Sequence, residues 1–473
     1  MRRRHFRGGV ALASLVLGLA PWTEGLAADA PTHVSVRPRA AWSAEGDEVQ
    51  ANFGWSVGTA GDVNGDGYAD IIVGAYLSDH GDMNEGRAFV YYGSPSGPAA
   101  TPDWTAEGDQ VAAYLGFSVG AAGDVNGDGY DDVIVGAYQY DNGESNEGRA
   151  YVYYGSPSGP SAAPDWTAEG DQASAFFGIS VATAGDVNGD GYDDVIVGVS
   201  SYDHGEEGEG AAVVYHGSAA GLSATPDWKV DSDKASAAFG ASVGTAGDVN
   251  GDGYEDVIVG APSYEHGESG EGGAFVYYGS ASGLSSTPAW KTDSDQFAAF
   301  FGISVGTAGD VNGDGYADVI VGANYYDNGE SDEGAAFAYY GSASGLSATP
   351  DWSAESNQPG ALFGLAVDTA GDVNGDGYAD VVVGAWLHDG GQMNEGRAFA
   401  YYGSASGLSA SADWRAESDQ EGAWFGYSVG GAGDVNGDGL DDIIVGAPSW
   451  DHGQKKEGAA FLFKGRVNAV AQR

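Results

Sequence analysis

A period of 62 residues runs through most of the chain and limits the folds open to it. Three markers recur at this step: the first aspartate of an acidic loop, a tryptophan, and a glutamate that precedes glycine. The aspartates are Asp62, Asp124, Asp186, Asp248, Asp310, Asp372 and Asp434. The tryptophans are Trp42, Trp104, Trp166, Trp228, Trp290, Trp352 and Trp414, and the glutamates are Glu85, Glu147, Glu209, Glu271, Glu333, Glu395 and Glu457. Seven units without insertions or deletions predict a repeat architecture in which each unit packs on its neighbours.

Each unit holds four segments that are typical of β-strands. In the first unit they are residues 53–63, 70–76, 87–93 and 102–108. Residues 70–76 form a short continuous apolar run, which indicates a strand buried on both faces. We therefore predict an all-β fold, a seven-bladed β-propeller of four-stranded antiparallel blades over residues 31–470. A parallel β-helix is the main alternative, but its rungs are much shorter than this repeat.

The ends of the array predict how the ring closes. A strand that carries a tryptophan, residues 41–47, precedes the first unit, whereas the last unit ends at residues 459–470 without such a strand. Pairing the N-terminal strand with blade seven would complete that blade and leave no open sheet edge. We expect this closure.

Composition excludes several classes of function. The formal charge is -51, with only 18 lysines and arginines, so the chain lacks the basic surface that nucleic acids and anionic membranes require. There is no cysteine, which excludes disulfides and thiolate nucleophiles.

The first 30 residues indicate export. Residues 1–9 are basic, residues 10–20 are apolar, and small residues surround Ala28 and Ala30. This three-part pattern predicts a signal peptide over residues 1–30 and a secreted protein, extracellular or periplasmic. No later apolar segment approaches the length of a membrane span, so we expect none.

The acidic loop that follows the first strand of each unit has the ligand spacing of a calcium site. Positions 1, 3, 5, 7 and 9 are Asp62, Asn64, Asp66, Tyr68 and Asp70. Position 7 would bind through its backbone carbonyl and the others through side-chain oxygens, which suits the hard oxygen shell of Ca²⁺. We predict up to seven Ca²⁺ ions, one per blade. The equivalent ligands are Asp124, Asn126, Asp128, Tyr130, Asp132, Asp186, Asn188, Asp190, Tyr192, Asp194, Asp248, Asn250, Asp252, Tyr254, Asp256, Asp310, Asn312, Asp314, Tyr316, Asp318, Asp372, Asn374, Asp376, Tyr378, Asp380, Asp434, Asn436, Asp438, Leu440 and Asp442.

Other interpretations of the loop fit less well. Ordinary turns favour Asp, Asn and Gly but do not require acids at positions 1, 5 and 9 of every copy. Position 12 is Val73, so the loop is not an EF-hand. Magnesium prefers to keep its waters, and zinc is disfavoured because the loop has neither His nor Cys.

Short motifs on both sides of the loop carry a family resemblance. "FG" precedes the loop in six units, from Phe53-Gly54 to Phe425-Gly426, with Leu115 in place of Phe in unit two. "GAP" follows it at residues 260–262 and 446–448. Together these motifs resemble the FG-GAP repeats of integrin alpha subunits, a resemblance that implies a seven-bladed propeller with calcium on one face. The even spacing leaves no room for an inserted ligand-binding domain and no leg domains follow, so we do not expect an integrin receptor.

The loops between the second and third strands vary most between units and are predicted to lie on the face opposite the acidic loops. Binding residues concentrate on such loops. They carry acids at Asp79, Asp141, Asp203, Glu265, Asp327, Asp389 and Asp451. Aromatic residues lie nearby at Tyr140, Tyr202, Tyr264, Tyr326 and Trp450. The acids and rings could bind sugars or a basic peptide; alternatively, the acids cap the turns and the rings pack between blades. The glutamate before glycine is expected to accept backbone N–H groups.

Taken together, these patterns favour an adhesion or recognition module for an extracellular protein or carbohydrate. His80, His204, His266 and His452 lie in the variable loops, but no blade combines a nucleophile, a base and an orienting group, so we do not expect an enzyme. The alternatives are a purely structural envelope or matrix protein without a discrete ligand, and a cryptic hydrolase.

Overall fold

Every regular element in the part of the chain that the structure describes is a β-strand. The computed structural model describes residues 39–467, in which 28 strands form seven four-stranded sheets. The predicted all-β propeller of seven antiparallel blades is confirmed. The predicted signal peptide at residues 1–30 lies outside the described residues. Within residues 39–467 no helix is long and apolar enough to cross a membrane.

The first four blades follow the same strand order from the central channel outward. Blade one contains β2 (Ser56–Gly61), β3 (Asp70–Ala75), β4 (Arg87–Tyr91) and β5 (Trp104–Glu107). Blade two contains β6 (Ser118–Gly123), β7 (Asp132–Ala137), β8 (Arg149–Tyr153) and β9 (Trp166–Glu169). Blade three contains β10 (Phe177–Gly185), β11 (Asp194–Val199), β12 (Ala211–Tyr215) and β13 (Trp228–Asp231). Blade four contains β14 (Ser242–Gly247), β15 (Asp256–Ala261), β16 (Gly273–Tyr277) and β17 (Trp290–Asp293).

The remaining three blades differ only in how the last is completed. Blade five contains β18 (Phe301–Gly309), β19 (Asp318–Ala323), β20 (Ala335–Tyr339) and β21 (Trp352–Glu355). Blade six contains β22 (Phe363–Gly371), β23 (Asp380–Ala385), β24 (Arg397–Tyr401) and β25 (Trp414–Glu417). Blade seven contains β26 (Ser428–Gly433), β27 (Asp442–Ala447) and β28 (Ala459–Phe463), with β1 (Trp42–Glu45) as its outer strand.

The second strand of each blade is buried along its whole length, as the apolar run predicts. In blade one the strands are shorter than predicted by one to three residues at several ends, because the chain passes into turns and bends there. The predicted start at Phe53 is wrong for β2. Phe53 instead forms a parallel bridge to Gly458 of blade seven, whereas β10, β18 and β22 do begin at the equivalent phenylalanine.

Hydrophobic contact between neighbouring blades forms the core. Side chains of blade one, such as Trp104 and Val90, pack with Leu115 and Tyr153 of blade two, and the other clusters likewise combine two successive blades. Trp104 lies edge-on to Tyr153 with ring centroids 4.8 Å apart, and its indole N–H donates to the Ser161 carbonyl of blade two over 2.9 Å. The repeating tryptophan therefore joins each blade to the next.

Ring closure follows the same scheme. β1 pairs antiparallel with β28, and Trp42 is opposite Leu462. Trp42 contacts Tyr91 of blade one at 4.9 Å and donates its indole N–H to the Ala99 carbonyl over 2.7 Å. The predicted closure by the N-terminal strand is confirmed, because the junction of blades seven and one reproduces the contacts of the other junctions.

Candidate functional site

The acidic loops connect the first and second strands of each blade and project from one face of the ring. In blade one, the Asp62 carboxylate accepts the N–H groups of Asp66 and Gly67 over 3.0 and 2.8 Å. The Asp66 carboxylate accepts the N–H of Tyr68 over 3.1 Å. Gly65 adopts a left-handed backbone with φ of 71°, which lets the loop curl around these carboxylates.

The aspartate at position 9 is buried beneath each loop. In blade one, Asp70 accepts the N–H of Val63 over 3.0 Å with one oxygen and the N–H of Gly93 over 2.8 Å with the other. Burial raises the pKa of Asp70 to about 7, and the nearby charges of Asp66 and Asp62 add to this against the two N–H donors. The buried carboxylate thus lacks a compensating positive charge from the protein.

Two further observations indicate that the loop residues can hold a cation. The side-chain carbonyl oxygen of Asn374, at position 3 in blade six, is buried and has no hydrogen-bond partner among the described residues. Within residues 39–467 no lysine, arginine or histidine forms an ion pair with a loop carboxylate. The loop acids do not converge fully, however: in the described residues, no three of their carboxylate oxygens lie within 4.8 Å of one another.

Two contacts between successive loops were missed by sequence reasoning. The backbone N–H at position 8 donates to the position 1 carbonyl of the preceding blade, as Asp131 does to Asp62 over 3.2 Å. The ring of Tyr130 also covers Gly65, where a Cβ atom would lie 2.5 Å from it. The tyrosine at position 7 therefore packs on the preceding loop, in addition to offering a carbonyl oxygen. A signal was present in the sequence, because a bare carbonyl ligand would not require an aromatic residue in six of seven units.

The acids of the loops between the second and third strands mainly fold those loops. Asp141 accepts the N–H of Asn146 over 2.5 Å, and Asp327 accepts that of Asp332 over 2.6 Å. Equivalent caps form at Asp79, Asp203, Asp389 and Asp451, while Glu265 accepts the hydroxyl of Ser269. These acids lie at separate blades around the ring and remain predicted ligand contacts.

The other predicted features of these loops also have structural partners. In blades one, two, four, five and seven the glutamate before glycine accepts backbone N–H groups as expected; Glu85, for example, accepts those of His80 and Asp82 over 2.7 and 3.2 Å. The aromatic residues contact rings of their own blade, as Tyr264 does with Phe275 at a centroid distance of 5.2 Å, and they also lie in hydrophobic clusters shared with the preceding blade, as expected. Tyr264 comes directly after the second strand of blade four and Phe275 lies on the third strand, so the two side chains are neighbours in one sheet.

A central channel opens on the face of the variable loops. It is a cavity of about 610 Å³ lined by the first strands of all seven blades. Three half-buried aromatic residues line it, and six more are joined to them through ring contacts. We call the nine the mouth cluster: Trp55, Phe117 and Tyr427 line the channel, and Tyr76, Tyr114, Tyr138, Phe176, Trp386 and Trp424 pack behind them. Trp55 lies 4.3 Å from Tyr427, and Phe117 lies 4.4 Å from Tyr138, measured between ring centroids.

The mouth cluster is unevenly distributed around the ring, although Phe300, between blades four and five, occupies the repeat position of Tyr114 and is also half-buried. The mouth cluster comes from blades six, seven, one and two and the start of blade three, whereas the position of Trp55 is filled by Ala241, Ile303 and Leu365 in blades four to six. The indole N–H of Trp386 is buried and has no hydrogen-bond partner among the described residues. The mouth cluster therefore combines aromatic faces at the channel with a buried, unpaired donor behind them, and ligand pockets typically combine apolar rings with a few polar groups.

Two acids line the channel, Asp368 of blade six and Asp441 of blade seven. Asp368 of blade six occupies a position that is glycine in five other blades and Ala182 in blade three. Its carboxylate accepts the N–H of Thr369 over 2.9 Å. Burial raises the pKa of Asp368 to about 7, against the N–H groups of Thr369 and Gly431.

The repeat model of one protein family covers each of the blades. The FG-GAP repeat matches residues 53–91, 116–153, 177–215, 239–277, 301–339, 363–393 and 425–463. The chain belongs to the FG-GAP repeat family. All seven matches begin near the first strand, and six of them reach the third strand, so the repeat coincides with a blade.

Relatives of the FG-GAP protein include integrin alpha subunits and a phospholipase D. It is 34% identical to integrin alpha-3 of Cricetulus griseus over 231 residues, which are 47% of this chain and 21% of that protein. It is 32% identical to phosphatidylinositol-glycan-specific phospholipase D of Bos taurus over 225 residues, 44% of this chain and 26% of that protein. The chain thus spans about a quarter or less of these relatives.

Among solved structures, BBS1N in complex with ARL6DN resembles the FG-GAP protein in fold. The TM-score is 0.51 at 11% identity, and the likeness covers 92% of this chain and 99% of that chain. At this identity the likeness extends to the fold alone.

Proposed function

We propose that this protein is an exported, calcium-stabilised FG-GAP propeller that acts as an adhesion or recognition module for an extracellular protein or carbohydrate. Integrin alpha relatives support the class of function, and the predicted signal peptide supports export to the extracellular space or periplasm. The discrete, asymmetric mouth cluster carries the proposal, because a repeat that served only to build a ring would not need it.

Calcium would be held by the acidic loops. In each blade the oxygens at positions 1, 3, 5 and 9 and the carbonyl at position 7 form the predicted set, and the orphaned Asn374 oxygen and the uncompensated Asp70 carboxylate support it. The ion would supply positive charge that offsets repulsion among the three carboxylates of each loop.

The mouth cluster would supply the ligand contacts. Half-buried rings such as Trp55 and Trp386 offer apolar faces with little loss of side-chain freedom, because neighbouring rings already hold them. Burial raises the pKa of Tyr138 to about 12, so its hydroxyl stays protonated and can donate a hydrogen bond. The seven acids from Asp79 to Asp451 are predicted outer contacts on the same face.

Screening followed by a matched pair of variants tests this site. The calcium-loaded protein is screened on glycan and peptide arrays, and each hit is measured by calorimetry. Trp386→Ala should weaken binding by at least about tenfold, as expected for an aromatic residue at a binding hot spot. The control is Phe297→Ala, which removes an aromatic side chain that is 67% exposed in the connection between blades four and five; its binding should equal wild type.

Two outcomes would contradict the proposed site. Equal losses in the two variants would place binding outside the mouth cluster, and arrays without a hit would favour a purely structural envelope or matrix protein. The phospholipase D relative gives little support to a hydrolase, because the match covers about a quarter of that enzyme.

A further inference from the structure

Three blades carry a histidine beside two carboxylates at the rim of the ring, apart from the acidic loops and the mouth cluster. The groups are His204, Glu209 and Asp231 in blade three, His266, Glu271 and Asp293 in blade four, and His452, Glu457 and Glu45 in blade seven. In each group, one ligand atom per residue lies within 4.8 Å of the other two. In blade three, His204 Nδ1 is 2.7 Å from an Asp231 oxygen.

These histidine groups occur where an arginine is absent. In blades one, two and six the residue across from the strand-four acid is an arginine, as Arg149 is across from Glu169, and its guanidinium donates to that acid over 3.1 Å. In blade three the same place is Ala211, across from Asp231. Gly273 and Ala459 occupy it in blades four and seven. The two carboxylates of these blades therefore have no guanidinium to offset their charge.

Blade three has a further feature that points to a missing ligand. Glu209 is 3% exposed, and its Oε1 atom is buried without a hydrogen-bond partner among the described residues. In blades four and seven the equivalent glutamate accepts the N–H of His266 or His452. Glu395 of blade six also has an Oε1 atom without a hydrogen-bond partner among the described residues. That atom and the Arg397 guanidinium both lie beside Gly390, however, so a positive charge is close to it. The nearby Lys229 places its ammonium over the Tyr202 ring, 3.5 Å from the centroid.

We propose that His204 Nδ1 and one carboxylate oxygen each of Glu209 and Asp231 bind a divalent transition-metal ion such as Zn²⁺, with water completing the shell. Zn²⁺ accepts mixed nitrogen and oxygen ligands at about 2.0–2.2 Å, which places neighbouring ligand atoms about 3.4 Å apart in a tetrahedron. The present spacing reaches that value with small side-chain movements. An imidazole ligand disfavours Ca²⁺, which prefers oxygen, so this site is chemically distinct from the acidic loops.

The chain itself supplies the variants that test this site. Asn142 and Asn328 occupy the histidine position in blades two and five, and each donates its amide to the strand-four acid over 2.6–3.0 Å. His204→Asn should therefore keep the fold while removing the metal ligand. His80→Asn is the matched control, because in blade one Arg87 already pairs with Glu107, the acid that His80 contacts.

Calorimetric titration of Zn²⁺ into the calcium-saturated protein is the measurement. We expect one tight site in wild type, weakened by at least about tenfold in His204→Asn, since even losing a supporting contact typically costs that much. His80→Asn should match wild type, and a crystal should give a zinc anomalous peak beside His204. Far-UV circular dichroism without zinc establishes that each variant is folded, and Asp231→Asn replaces His204→Asn if the latter is not.

Three results would overturn the site. They are a wild-type protein that takes up no Zn²⁺ at micromolar concentration, a His204→Asn isotherm identical to wild type, and an anomalous peak located at an acidic loop instead. A loss of the same size in His80→Asn would also overturn it, because binding would then follow the number of rim histidines.

Discussion

The two faces of the ring contrast in how strictly they repeat. On the acidic-loop face, the carboxylates at positions 1, 5 and 9 are the same in all seven blades. On the opposite face, equivalent positions carry Trp55, Phe117, Ala241 or Tyr427. The difference teaches that the repeat preserves what every blade needs, and that departures from it mark where the molecule is specific.

Contacts explain the contrast. Each acidic loop is bonded to the preceding one, as Asp131 is to Asp62, and is covered by a side chain of the following blade, as Tyr130 covers Gly65. A change in one loop would therefore disturb its neighbours. Rings of the mouth cluster are half-buried and three of them line an open cavity, so they can differ between blades at smaller cost to the ring.

Removing calcium should give the largest effect and should act through the acidic-loop face alone. An ion that binds only the native state at a free concentration one hundred times its Kd stabilises that state by about 2.7 kcal/mol. Losing several such ions should lower the melting temperature by more than about 10 °C. Scanning calorimetry with and without a chelator measures this, and an unchanged melt after exhaustive chelation would count heavily against the calcium assignment.

Paired substitutions in blade two compare the faces directly. Asp128→Ala should remove one calcium ion from the stoichiometry. It should also lower the free energy of unfolding by about 2–3 kcal/mol when calcium is present. Asp141→Ala removes the cap on the Asn146 N–H and should cost about 1 kcal/mol without changing the calcium count. Calcium titration and thermal melts measure both quantities. The same loss of calcium in both variants would show that the faces are not independent.

Asp368 predicts a pH effect that belongs to the channel. Its pKa in the folded state, about 7, exceeds the unfolded value, so the folded state binds the proton more tightly. That stabilisation is complete below about pH 4 and is lost as the pH rises towards 7. Asp368→Asn should therefore stabilise the protein by about 2 kcal/mol at pH 8, since water in the channel reduces the full value, and change little at pH 4. Melting curves at both pH values would contradict this if the gain were equal.

The smallest effect is expected from restoring the repeat at its one irregular position 7. Leu440 covers Gly375 as the tyrosines cover the other loops, with a Cβ at Gly375 lying 2.7 Å from it. Leu440→Tyr should change stability by less than about 1 kcal/mol, because one apolar cover replaces another. A larger change in the calcium-loaded melt would mean that the side chain at position 7 does more than cover the loop.

Much of the fold could be predicted because the same strand and turn pattern recurs in all seven repeats. The apolar run at residues 70–76, the turn residues after Asp62 and the spare strand at Trp42 each follow from local pattern, and the blades and their closure agree with them. Strand ends were less predictable. Pairing at residues near Phe53 depends on the neighbouring blade, which periodicity within one unit does not describe.

The mouth cluster was not predictable by the same method. Trp55, Tyr76 and Tyr114 come from three different repeat positions, and they meet only because two blades place them at one opening. The sequence signal for this cluster lies in the repeat positions whose residue differs from unit to unit. Asp368 was detectable in that way, as the single acid in a column otherwise of glycine and alanine, but its burial required the ring.

The pairing of β1 with β28 has a consequence for how the chain reaches its native state. Trp42 and Leu462 are about 420 positions apart, whereas the other strand pairs are joined by short hairpins. Contacts of such separation carry a large loop-closure entropy and form late. Blades one to six can assemble while the polypeptide is still being made, but the seventh must wait for its last segment. Until then an unpaired edge is exposed, and it is at this point that association between copies competes with folding.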